Sequence, residues 1–137
     1  MPSVAVDTGP LVALFNGRDR HHGAAKAFLQ RSSGGLVTNP AVITEVTFLL
    51  DFSVETQTEF LLWAIGGVDI DRETAADLPR IIEIMKKYAD LPADLADASL
   101  LALCERRRIA SIATVDKHFD TYRTLDRKRV KNVFFNA

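Results

Sequence analysis

Four acidic side chains stand where a carboxylate is either costly to bury or well placed to hold a ligand: Asp7, Glu45, Asp97 and Asp116. On a helix at about 100° per residue, Asp97 of DLADASLLALCE lines up with Leu100, Leu101 and Cys104, while Ser99 and Arg106 fall opposite. Asp97 is therefore expected on a buried stripe. In PAVITEVTFLL, Glu45 lies between Phe48 and Leu49 around the wheel and close to Val42 and Val46, far from any capping position. An unpaired carboxylate there needs a partner or a cation. Asp7 closes the run VAVD and Asp116 follows SIAT by one residue. Both positions match the crevice beyond the carboxyl ends of parallel strands, where open α/β sheets bind ligands. No lysine or arginine is an evident inward partner, and His21, His22 and His118 lie in polar surroundings. All-oxygen donors point to a hard divalent ion, Mg2+ or Mn2+, rather than zinc. The chemistry that follows is metal-assisted hydrolysis.

Each acid also has a plain structural reading. Asp94 as N-cap with Asp97 three residues on makes a carboxylate version of a capping box, and Asp7 or Asp116 suits an Asx-turn that stops a strand. Glu45 has only a surface position as its alternative. The joint pattern, four acids distant in sequence and each at a site-forming position, favours a shared crevice.

The elements that must position them alternate. Short strands are expected at residues 3–6, 36–38, 68–70, 111–114 and 133–135. Between them lie helices from about Gly9 to Phe15, over HHGAAKAFLQR, over PAVITEVTFLL with Asn39 as N-cap and Pro40 at the first position, and over VETQTEFLLWAIGG closed by Gly66 and Gly67. Two more cover TAADLPRIIEIMKKYA, as one helix or a pair around Pro79, and DLADASLLALCERRR. Strands separated by helices imply parallel pairing, hence a three-layer α/β/α sandwich around a mainly parallel sheet. The region near residues 69–71 and the tail 120–131 carry the weakest pattern.

The chain of 137 residues is expected to form one domain over residues 1–137, burying roughly two-thirds of its unfolded surface. Its lone cysteine, Cys104, cannot form an internal disulfide, which fits a reducing cytoplasm. MPSVAVDTG lacks a signal-like or membrane-spanning stretch. The net charge of −1 hides an asymmetry: residues 1–105 are acidic, whereas residues 106–137 carry nine Lys/Arg against three Asp. Arg106, Arg107, Arg108, Lys117, Arg123 and the cations of 128–131 are candidates for contacting a nucleic-acid backbone. The same arginines would also suit the negative end of a helix.

VAVDTGPLVALF, TNPAVITEV, DLADASLLALCE and IATVDKHF, in that order, resemble the PIN-domain ribonucleases, and among them the VapC-type toxins of toxin–antitoxin pairs. The resemblance implies that Asp7, Glu45, Asp97 and Asp116 bind Mg2+ or Mn2+ for RNA hydrolysis, leaving a 5'-phosphate and a 3'-hydroxyl. Asp94 matches an additional acid, as ligand or support, and Thr8 and Thr114 match small hydroxyl residues that orient the acids. Where many relatives carry another acid after the Asp116 position, this chain has Lys117 and His118; His118 is either a contact to RNA or a surface residue. The resemblance further implies a small antitoxin partner, for which PAVITEVTFLL and VETQTEFLLWAI, with Trp63, would supply an apolar surface, or else a homodimer interface. Val46 and Leu49 are expected in the core, with Phe60 and Trp63 at either place.

Two other function classes fit parts of the sequence. A catalytically inactive PIN-like binding or scaffold module would keep the acids for architecture. Asp7-Thr8-Gly9 also matches the aspartic-protease triplet, but that chemistry needs two such aspartates in an all-β fold, and this chain has one in a mainly helical setting.

Overall fold

The structure is a computed structural model that describes residues 2–91 and 93–135. The expected alternation is present. In chain order the elements are β1 (Val4–Val6), α1 (Thr8–Phe15), α2 (His22–Arg31), β2 (Leu36–Thr38), α3 (Pro40–Leu49), α4 (Val54–Gly67), β3 (Asp69–Ile70), α5 (Thr74–Lys87), α6 (Leu95–Arg107), β4 (Ser111–Ala113), a 3-10 turn at Lys117–Asp120, and β5 (Lys131–Asn132).

All strand pairs are parallel and the order across the sheet is β3-β2-β1-β4-β5. The chain therefore starts at the centre, builds outward through β2 and β3, then returns past β1 to add β4 and β5. Because parallel crossovers are right-handed, the helices of the outward path and those of the return path cover opposite faces, giving three layers. The reversal lies between β1 and β4, where Val4, Ala5 and Val6 face Ser111, Ile112 and Ala113. Burial on both faces explains why these strands read as unbroken apolar runs.

Local chemistry sets most boundaries. Asn39 caps α3 by accepting the Val42 N–H at 3.0 Å, with Pro40 at the first position. Asp94 caps α6 by accepting the Asp97 N–H at 2.8 Å. TAADLPRIIEIMKK forms one helix, with Pro79 inside it.

Gly66 and Gly67 close α4 as its last turn, as expected, Gly67 packing under the Trp63 indole. Two expectations are corrected. The last strand is Lys131–Asn132 rather than 133–135; Phe134 turns into the core instead, fully buried against Phe28. Ser99, expected on the open side of α6, is 1% exposed, because every residue from Ala96 to Cys104 is buried. A helix enclosed on all sides has no solvent face for a polar residue to mark.

Candidate metal centre

The carboxyl end of the sheet at the β1/β4 reversal gathers the acids. Asp7 is the N-cap of α1, Asp94 of α6 and Asp116 of the 3-10 turn. Two of these do the structural work a cap implies: Asp94 Oδ1 receives the Asp97 N–H at 2.8 Å, and Asp116 Oδ1 receives the His118 N–H at 2.8 Å. Each carboxylate keeps a second oxygen, so the structural role leaves room for a ligand role. Asp7 makes no capping bond. Its Oδ2 accepts from the Thr114 hydroxyl at 2.8 Å, and its Oδ1 is buried with no hydrogen-bond partner among the described residues. A buried carboxylate oxygen left bare at a strand end is poorly explained by architecture.

Thr114 carries the geometry from one strand to its neighbour. While donating to Asp7, its Oγ1 accepts the Asp116 N–H at 2.9 Å. Asp7 N in turn donates to Ala113 O at 2.9 Å. A second tie joins the helices that bear the other two acids: Asn39, at the head of α3, donates from Nδ2 to Ser99 Oγ at 3.0 Å, and Ser99 donates to Ala96 O at 2.8 Å. Glu45 on α3 and Asp97 on α6 are thus referenced to one buried polar bridge. Sequence reasoning missed its Ser99 end, for which the local pattern contains no signal. The Thr8 hydroxyl is buried and faces Glu45 without completing a hydrogen bond.

Burial and the neighbouring carboxylates raise three of these acids above their ordinary values. Burial pushes the Asp7 carboxyl up to about 6, against the opposing effect of the Thr114 hydrogen bond, with Asp116 and Glu45 adding to the rise. Asp97, 9% exposed, is pushed up to about 8 by burial first and then by Asp7, Asp94, Asp116 and Glu45. Glu45, half-buried, is raised by burial and by Asp94. Asp97 thus feels all four of the other acids. Among the described residues no three His, Cys, Asp or Glu side chains close into a finished cage. The donor set is nonetheless all oxygen, and a hard divalent cation would offset the repulsion.

The predicted cationic contacts divide into two groups. Arg106 chelates Asp71 (Nη2–Oδ2 2.6 Å) and Asp77 (Nη2–Oδ2 2.9 Å), Arg107 holds Asp69 at 2.8 Å, and Arg108 is the left-handed C-cap of α6 at φ 56°. Arg106 stands nine residues beyond Asp97, about 14 Å along the helix, so these three are not brought to the acids. Arg106 and Arg107 are spent on ion pairs. Lys117 and His118 directly follow Asp116, Lys117 exposed and His118 with Nδ1 at 3.4 Å from Asp116 Oδ1. Arg123 folds back onto the Asp120 and Tyr122 carbonyls.

The family model described as the PIN domain matches residues 4–125. This chain belongs to the PIN-domain family. The matched span of this PIN domain runs from β1 to beyond Asp116, so it contains every acid of the crevice. Ribonuclease VapC26 of Mycobacterium tuberculosis is 29% identical over 124 residues, covering 88% of this chain and 92% of that protein. Among solved structures, Mycobacterium tuberculosis VapC20, described as a sarcin–ricin loop cleaving toxin, superposes with a TM-score of 0.78 at 23% identity, over 86% of this chain and 93% of the other. A toxin–antitoxin complex from Klebsiella pneumoniae gives 0.64 at 21% identity, over 82% and 86% of the two chains. These two structures establish the likeness of fold.

Proposed function

We propose that this PIN domain is a VapC-type ribonuclease in which Asp7, Asp97 and Asp116 hold Mg2+ or Mn2+, with Glu45 completing the ligand set or orienting the attacking water. The observation that carries the reading is the bare, buried Oδ1 of Asp7 in a crevice of five interacting carboxylates. The 29% identity to a ribonuclease across most of both chains supports RNA as the substrate.

The divalent ion would acidify water and stabilise negative charge on the scissile phosphate and the departing oxygen. The chain's own groups set the geometry. Thr114 fixes Asp7 and the Asp116 backbone together; Asp94 starts α6 so that Asp97 faces the same crevice; the Asn39–Ser99 bridge sets α3 against α6. Lys117 and His118, beside Asp116, are the cationic and polar groups nearest in sequence to the centre and suit the RNA backbone. Asp7→Asn and Asp97→Asn should each abolish Mg2+-dependent RNA cleavage with an unchanged far-UV spectrum. Full cleavage by both variants would overturn the site.

The same reading supplies a partner. Phe48, Leu62 and Ile65 are 69%, 70% and 78% exposed, and Phe52 and Val54 lie open between α3 and α4. An apolar face of this kind suits a protein partner, and the likeness to a toxin–antitoxin complex supports an antitoxin segment, with a second copy of the chain as the other occupant. Val46 and Phe60 are core residues and Trp63 packs on Phe15, whereas Leu49, expected in the core, is 48% exposed and belongs to this surface. Co-expression with the small neighbouring reading frame, if one exists, should yield a co-purifying complex that no longer cleaves RNA. None of the described helices is long and apolar enough to cross a membrane.

A further inference from the structure

A recess of about 550 Å3 opens where the end of α6 meets the turn at residues 124–130. Ile109 and Ala110, which line it, precede β4, so it lies at the amino end of the sheet, opposite the acids. Arg108, on its wall, stands eleven residues beyond Asp97, about 16 Å along the helix axis. Buried Cys104, Ile109 and Val130 make an apolar floor, and exposed Arg108, Lys128 and Arg129 stand around it. The two acids of the wall are already occupied. Glu105 takes Arg80 through both oxygens at 2.8 Å, and Asp126 accepts from the Thr124 hydroxyl, with Lys128 Nζ at 3.7 Å. Arg129 reaches only Asp120, at 4.0 Å, and the Arg108 side chain has no ion pair among the described residues.

Arg108 sits at φ 56° and Arg127, between the lining residues Asp126 and Lys128, at φ 65°; among the described residues no other non-glycine side chain has a positive φ. Glycine is the ordinary occupant just past a helix, where a Cβ is strained. Both segments are nevertheless held in place: Ile109 N–H donates to Cys104 O, Thr124 N–H to Lys128 O and Arg127 N–H to Thr124 O, each at 2.9 Å. Strain kept at two arginines beside one recess points to a ligand more than to architecture. One segment also joins the recess to the metal centre. Residues 117–131 run from Asp116 to β5 and hold six Lys/Arg against two Asp. Leu125 is the one large apolar side chain exposed there, too little for the core of a protein interface, whereas a polyanion along the segment meets cations from end to end.

We propose that the recess is a second phosphate-binding site, through which Arg108, Lys128 and Arg129 hold the RNA backbone at a distance from the cleavage centre. This rests on the ribonuclease reading above. Arg108→Gly combined with Arg129→Gln removes two of the charges and gives the helix end its ordinary glycine. The double variant should melt at the temperature of the parent or higher. In chelator, where no cleavage intervenes, its affinity for single-stranded polyuridylate, measured by filter binding at low salt, should fall by about tenfold or more. The slope of log affinity against log salt should flatten by about 1.4, roughly 0.7 for each lost contact. Lys26→Gln, which removes an exposed cation of α2 outside the recess, should change neither quantity. A double variant that binds as the parent does, or loses no more than Lys26→Gln, overturns the assignment while leaving RNA as the substrate, and so gives the recess to an acidic protein segment. A lower melting temperature overturns it too, since the arginines would then serve the fold. Parent chain that binds no polyuridylate would instead refute the ribonuclease reading, and the assignment with it.

Discussion

Thr114 donates its hydroxyl to Asp7 Oδ2 at 2.8 Å across the junction of β1 and β4, and through the same oxygen accepts the Asp116 N–H at 2.9 Å. One side chain thereby sets the orientation of two acids that lie more than a hundred residues apart.

Thr114→Val keeps the shape and removes the hydroxyl, stranding both Asp7 oxygens and the Asp116 N–H in a buried place. The expected cost is about 1–3 kcal/mol of stability, with a Mn2+ affinity lower by about tenfold or more. Thr114→Ser should restore both. Thermal melts and metal titration of the three proteins check this, and a valine variant with wild-type metal affinity would contradict it.

Metal-free protein should lose stability as the pH rises. Asp7 and Asp97 are pushed up to about 6 and about 8 in the fold, from an ordinary 3.8. Between pH 4 and pH 8 the folded chain therefore binds more protons than the unfolded one, so unfolding is favoured with each step upward through that window. Asp7 alone accounts for on the order of 3 kcal/mol. The melting temperature in chelator should be higher at pH 5 than at pH 8, and added Mg2+ or Mn2+ should recover the loss at pH 8. A melting temperature that rises from pH 5 to pH 8 in chelator would sink the idea.

Gly9 is packed so closely that a Cβ would sit 2.2 Å from Val115 Cγ2. Val115 lies between Thr114 and Asp116, so Gly9→Ala should displace the Asp116 backbone and cut cleavage well before it unfolds the protein. Gly23, with nothing within 4 Å of such a Cβ and a place inside α2, is the control. Gly23→Ala should leave cleavage unchanged and stability equal or slightly higher. Equal activity in the two variants would show that the close approach does not matter.

Arg106 should behave as a structural residue. Burial alone would raise the Asp71 carboxyl, and the Arg106 guanidinium overrides it, holding that group below its ordinary range. Arg106→Ala leaves Asp71 and Asp77 buried and without their main partner, at about 2–4 kcal/mol once the partial exposure of the arginine is allowed for. Lys117→Ala should do the reverse, weakening RNA binding and flattening its salt dependence with little change in melting. Filter binding at several salt concentrations, beside thermal melts, separates the two. A stable Arg106→Ala protein with weakened RNA binding would return Arg106 to the interface.

What the chain alone made legible was whatever depends on near neighbours. The Asn39-Pro40 start of α3, the Asp94 cap of α6 and the alternation of strands with helices are set by bonds spanning a few residues. The misplacement of Asp97 on an apolar stripe is equally a local pattern. These sufficed for the family resemblance, and they marked the four acids as candidates because each sits at a position that its own element defines.

Only the tertiary structure decided which groups meet and which are already spent. The strand order β3-β2-β1-β4-β5 places Asp7 and Asp116 together at the reversal, and Asn39 reaches Ser99 through an enclosure of α6 that no helical wheel shows. It also gave Arg106 and Arg107 to Asp69, Asp71 and Asp77 at the far end of the same helix. Charge in a sequence carries a sign but no address. Whether a cation faces a substrate or a buried carboxylate depends on packing between segments remote along the chain, and that is settled only when the sheet closes.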